Sequence, residues 1–166
     1  MSLWPKDPLR QATVLGIFAI LAGLTLWLLE RHLLGTEGSN TMDLQFAFDG
    51  TRAKQIVDAW PASALRLVKL ALLAEWLVLA AYSRGFYLAI KSLSPRPYLK
   101  LEFLPLAAGA CHFSENLLQL ALLMGHVNDR LALSVALLAI VKYLLLFCSG
   151  ILLSGLILLR SEAPAP

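Results

Sequence analysis

The stretch "AGACHFSENLLQLALLMGH", residues 108–126, sets His112, Ser114, Glu115, Asn116 and Gln119 inside an otherwise apolar run. Residues three, four and seven apart share a helix face. His112, Glu115, Asn116 and Gln119 therefore form one polar stripe, and a further step of seven carries it to His126. A stripe of this kind can exchange protons, hold an ion or a metal, bind a polar head group, or clamp neighbouring helices through hydrogen bonds. Ser114 and His112 lie two residues apart on different faces, so they make no nucleophile and base.

What the stripe faces depends on the rest of the chain. Of 166 residues, 58% are hydrophobic and 15% charged, with mean hydropathy +0.70. An ordinary soluble domain has about 45–50% apolar and about 25% charged residues. Four apolar blocks reach the roughly 20 residues a bilayer-crossing helix needs. The spans are read at about 11–33, 63–90, 102–125 and 131–159. The fold expected is all-α: a four-helix transmembrane bundle forming a single domain over 1–160, with a polar, Pro-rich tail at 161–166 that frays. The first block exceeds the roughly 7–15 apolar residues of a signal peptide, and no small-x-small cleavage site follows it closely. It reads as a retained span.

Charge orients the spans. Lys6, Arg10, Arg84, Lys91, Arg96, Lys100 and Arg160 fall on one side, against Asp7, Glu102 and Glu162. Excess Lys and Arg in short loops mark the cytoplasmic side, so both termini are expected there. The net charge of +3 comes from residues flanking apolar blocks. That placement fits membrane lipids as partners, not nucleic acid. Cys111 and Cys148 both fall inside apolar segments and read as small hydrophobes without a disulfide.

The external segment at 34–62 is more than a linker. In "TMDLQFAFD", Met42, Leu44, Phe46 and Phe48 alternate with polar or small residues, the period of a half-buried strand. "DGTRAKQIVDAWP" then offers Asp49 or Thr51 as a helix N-cap, and Ala53, Ile56, Val57 and Trp60 share one face before Pro61. The expectation is a short strand and an amphipathic helix on the outer interface, anchored by Trp60. Such a segment acts as a lid over the bundle, or as a gate or docking surface.

Depth arithmetic brings the spans together. At about 1.5 Å per residue, Glu115 lies roughly 15 Å below the outer end of its helix. Lys142, on the next span, lies roughly 16 Å down, and Glu75, on the second span, roughly 15–18 Å. Three helices thus deliver ionisable groups to one level. Polar groups at mid-membrane face the bundle interior, so Glu75, His112, Glu115, Asn116, Gln119 and Lys142 form the candidate buried polar network. A tight turn makes the third and fourth spans antiparallel neighbours, which pairs Glu115 with Lys142. Glu75 then has no cation other than a protonated His112, unless one carboxylate itself carries the proton.

Metal and haem are weaker fits. His112, Glu115 and Glu75 are the candidate metal ligands, in the order His-x-x-Glu, where bundle sites use Glu-x-x-His. Lys142 would place a positive charge in that site. His32 and His126 are roughly level at the outer boundary, a position that fits an interfacial histidine better than a haem ligand. No cofactor is implied.

"LQFAFDGTRAKQIVDAW" after the first span and "CHFSENLLQLALL" in the third together resemble a pattern in small bacterial four-span membrane proteins of uncharacterised function. In those proteins an external amphipathic segment precedes the second span, and the third carries an acidic-x-x-Glu-Asn motif. Glu115 and Asn116 match it, while His112 stands at the acidic position. The resemblance, over about residues 40–145, implies the topology, a bacterial inner membrane and the importance of Glu115–Asn116. It implies no activity. The function expected is non-enzymatic: a membrane subunit or ligand-binding module, alone, as a homo-oligomer or in a larger complex. A proton-coupled transporter using Glu75 or Glu115 is the alternative, and a membrane-embedded metalloenzyme acting on lipid the third.

Overall fold

Proline and glycine punctuate a chain that otherwise has little reason to leave the helix. The computed structural model describes residues 6–34, 40–94 and 100–161, and every regular element among them is helical. These elements are α1 (Pro8–Leu34), α2 (Thr41–Gln45), α3 (Gly50–Ala59), α4 (Ala62–Leu93), α5 (Leu104–Leu123) and α6 (Asp129–Ser161). A 3-10 turn at Leu101–Phe103 leads into α5. Pro8, Pro61 and Pro105 stand at the starts of α1, α4 and α5, where the proline's missing N–H leaves no helix hydrogen bond unmade. Gly125, at φ +94°, turns the chain from α5 into α6 in a conformation that favours glycine. Trp4, Arg96, residues 35–39 of the external segment and the tail beyond Ser161 lie outside the described residues.

Two of the long helices, at Pro8–His32 and Asp129–Arg160, are long and apolar enough to cross a membrane. The other two, α4 and α5, carry Glu75 and the polar stripe. Packing departs from a symmetric four-helix bundle. The main partner of α1 is α4, whereas α4, α5 and α6 all pack on one another. Contact between α1 and α4 is close at Gly85, where a Cβ would stand 3.3 Å from Leu15 Cβ and 3.4 Å from the Ala12 carbonyl oxygen. On α6, Ala132, Val135, Ala136 and Ala139 are all fully buried, and such small side chains let helices approach closely. Lys142 is the next residue on that inward face, three beyond Ala139.

The segment between α1 and α4 folds differently from the strand-and-helix expectation. Met42 to Phe48 is not a strand. Asn40 caps α2 through a capping box, accepting from the Asp43 N–H while Asp43 accepts from the Asn40 N–H. Reciprocal capping of this kind fixes a helical turn, and four alternating residues are too few to override it. Leu44, Gln45 and Ala47 turn inward, while Met42 and Phe48 are about half exposed. Asp49 caps α3, its Oδ1 accepting from Arg52 N at 2.7 Å. Ala53 and Ile56 on α3, and Trp60 directly after it, are buried, in one cluster with Leu44, Val68, Leu72, Leu122, Leu123 and Val135. The segment is therefore a cap seated on the ends of α4, α5 and α6. Trp60, expected as an interfacial anchor, is only 6% exposed, because it fills this cluster.

Candidate functional site

Beneath the cap, α5 presents polar side chains to two neighbours at once. Glu115 and Asn116 are adjacent in sequence and reach different partners. The Glu115 Oε2 oxygen lies 2.6 Å from Lys142 Nζ on α6, with side chains 0% and 3% exposed. Gln119, one helical turn on, donates from Nε2 to Glu115 Oε1 at 2.8 Å. The Lys142 ammonium also sits 4.5 Å from the centroid of the Tyr143 ring, within cation–π range. This half of the cluster is sealed and balanced in charge.

The other half belongs to α4. Asn116 Nδ2 donates to Glu75 Oε2 at 3.1 Å and approaches the Leu72 carbonyl oxygen at 3.5 Å. His112 Nε2 lies 3.6 Å from the same Glu75 oxygen, and the Glu75 side chain is 31% exposed. On the far side of the imidazole, Nδ1 is 3.1 Å from the Tyr82 hydroxyl. A carboxylate beside Nε2 favours a proton there, which leaves Nδ1 to accept from Tyr82. Glu75 also lines a void of about 10 Å³ shared with Glu30, Thr41, Leu26 and Leu72, room for roughly one water. Glu30 closes its outer side by accepting from the Thr41 N–H at 2.6 Å and the Thr41 hydroxyl at 2.8 Å.

The six residues of the predicted network thus come together as two linked halves. Sequence reasoning missed Tyr82, Tyr143 and the Glu30–Thr41 contact. Tyr82 is seven residues beyond Glu75 on α4, so extending that face by two turns would have found it. Tyr143 holds the cap: its hydroxyl donates to Gln45 Oε1 at 3.3 Å and its ring stacks on Phe46. The three residues considered as metal ligands do not converge, since Glu115 is taken by Lys142. Among the described residues no three His, Cys, Asp or Glu side chains gather as a metal site. His32 and His126 are exposed.

The amide oxygens complete the picture. A carboxylate accepts and cannot donate, so Asn116 and Gln119 each turn their NH₂ towards one. That leaves Asn116 Oδ1 and Gln119 Oε1 buried without a donor among the described residues. Asn116 and Gln119 themselves lie three residues apart on one face of α5. Buried acceptors without a partner are uncommon in folded proteins.

Fold and site together define a protein whose described residues are all-helical, with two helices apolar enough to cross a membrane and an interhelical cluster of two carboxylates, an ammonium and an imidazole, one carboxylate buried and the other partly open. No protein-family model, no curated protein and no solved structure matches this chain.

Proposed function

We propose that this chain is a four-span integral membrane protein of a bacterial inner membrane, with both termini cytoplasmic, acting as a non-enzymatic ligand-binding module or membrane subunit. Its working group is Glu75, with His112, Asn116 and Tyr82. Glu115, Gln119 and Lys142 are the clamp that fixes α5 against α6. One observation carries this division: the two carboxylates share a helix layer but not an environment. Glu115 is fully buried and ion-paired, whereas Glu75 is partly open and borders a void. Pairs of like groups held in unlike surroundings take different roles. The amide oxygen of Asn116, beside Glu75, supplies an acceptor for a bound hydroxyl, ammonium or water.

Carbodiimide modification separates the two roles. Dicyclohexylcarbodiimide partitions into membranes and couples to accessible protonated carboxyl groups. In membranes holding the full chain, peptide mapping is expected to find the adduct on Glu75 and none on Glu115. An adduct on Glu115, or none on either, sinks the assignment. Proton-coupled transport is the second reading. It is favoured by the sequence of polar groups from Tyr82 to His112, on to Glu75 at 3.6 Å and to the void that Glu75 lines with Glu30. In liposomes carrying a pH gradient it requires proton flux that Glu75→Gln abolishes and Glu115→Gln does not. Identical flux in all three would end it.

A further inference from the structure

Because α1 leans on α4 instead of closing a bundle, an open groove of about 720 Å³ runs between α1, α4 and α6. It extends over α1 from Leu9 to Ile20, with Tyr82 and Phe86 from α4 and Ile157 from α6 among its walls. Small residues make the space: a Cβ built on Gly16 would meet nothing within 4 Å. Volume and lining suit one hydrocarbon chain, since ligand pockets of about 300–1,000 Å³ are lined mainly by apolar side chains.

The two ends of the groove differ. Ile20 and Val78 close the deep end, and Tyr82, one turn from Val78, has its hydroxyl already engaged by His112 Nδ1. That end offers a ligand ring carbons and aliphatic walls, not a free hydrogen-bonding head. The other end lies where α1 begins and where α4 and α6 finish. Arg160 is one turn after Ile157 and shares its face, while Arg10 is one turn before Thr13, at the edge of the α1 lining. Both are exposed. Among the described residues Asp7 is an acidic neighbour there, 3.9 Å from Arg10 Nε, with the arginine side chain 82% exposed. An apolar slot with a basic mouth is complementary to an anionic amphiphile entering tail first.

We propose that the α1–α4–α6 groove is a binding site for an anionic phospholipid, one acyl chain lying against Gly16 and Tyr82 and the phosphate held by Arg10 and Arg160. This rests on the membrane-spanning reading above and adds a ligand class to it. Basic residues at the cytoplasmic ends of spans attract anionic lipid, and here the apolar groove gives that attraction a defined seat.

The test uses the full chain in phosphatidylcholine vesicles containing a trace of phosphatidylglycerol or phosphatidylcholine, spin-labelled near the end of an acyl chain. Vesicle flotation is run first. The motionally restricted spectral component then reports lipid held by the protein. We expect the phosphatidylglycerol probe to be preferred by about fivefold or more, from two basic residues near the surface. Arg10→Gln with Arg160→Gln should bring the two probes level. Gly16→Phe, which fills open space, should remove the preference while leaving flotation and the thermal midpoint unchanged. Equal restriction of both probes by the parent protein overturns the proposal, as does a preference that survives Gly16→Phe. A chain that fails to float with the vesicles overturns the membrane reading itself, an outcome distinct from either.

Discussion

Lys142 Nζ stands 2.6 Å from Glu115 Oε2, and the two side chains are 3% and 0% exposed. Neither charge reaches solvent, so each depends on the other. Removing one partner of a buried pair strands the second charge and costs about 3–5 kcal/mol. Lys142→Met should therefore lower the thermal midpoint of the purified protein sharply. Pairing it with Glu115→Leu should recover much of the loss, because a buried pair is often replaceable by apolar residues of similar volume. Equal losses in the single and double variants would show that the contact is not the clamp.

Glu75 calls for the opposite result. Its side chain is 31% exposed, and it accepts a hydrogen bond from Asn116 Nδ2 at 3.1 Å. Interhelical polar contacts in membranes contribute about 0.6–2 kcal/mol. Glu75→Gln should move the thermal midpoint much less than Lys142→Met does. A loss as large as that of Lys142→Met would make Glu75 a second clamp and remove the basis for treating it as the working group.

Much of this cluster was legible because helical spacing and rise are rigid. Glu75, Glu115 and Lys142 fall at one depth by counting residues, and their helices meet there. The division between them was not legible. Which neighbour Glu115 or Asn116 reaches depends on the rotation of α4 and α6 about their axes, which residue counting leaves free. For α6 a signal existed: Ala132, Ala136 and Ala139 mark a face of small residues that leads to Lys142. For α1 the signal was the small residues Gly16, Ala19 and Gly23, which suit close packing and lie on the side turned to α4; its large apolar residues cover the whole circumference. The cap was misread for a local reason. Alternation over Met42–Phe48 fits a strand and a helical turn equally until the Asn40–Asp43 capping box is weighed.

Trp60 distinguishes the cap from an interfacial helix. An anchor in the head-group layer keeps much of its ring accessible, whereas Trp60 is 6% exposed among Leu44, Ile56, Val68 and Leu122. Truncating a buried tryptophan costs about 3–5 kcal/mol. Trp60→Ala should lower the thermal midpoint by a comparable margin to Lys142→Met. It should also open the cap to limited proteolysis between residues 40 and 60. An unchanged midpoint would return Trp60 to the interface.

The seam between cap and α6 rests on Gly50. Its N–H donates to Asp129 Oδ1 at 2.9 Å, so the start of α3 is tied to the start of α6. A Cβ on Gly50 would come within 2.9 Å of the Asn128 carbonyl carbon and 3.0 Å of Asp129 N. Both are backbone atoms, which cannot swing aside as a side-chain tip can. Overpacking of this kind costs about 1–3 kcal/mol. Gly50→Ala should loosen the cap and raise its hydrogen exchange over residues 41–60, leaving the protection of α5 near Glu115 unchanged. Asp129→Ala should produce the same pattern by removing the hydrogen bond without the clash. If protection at Glu115 falls equally in both variants, the cap and the buried cluster open as one unit, and the cap is then part of the site instead of its cover.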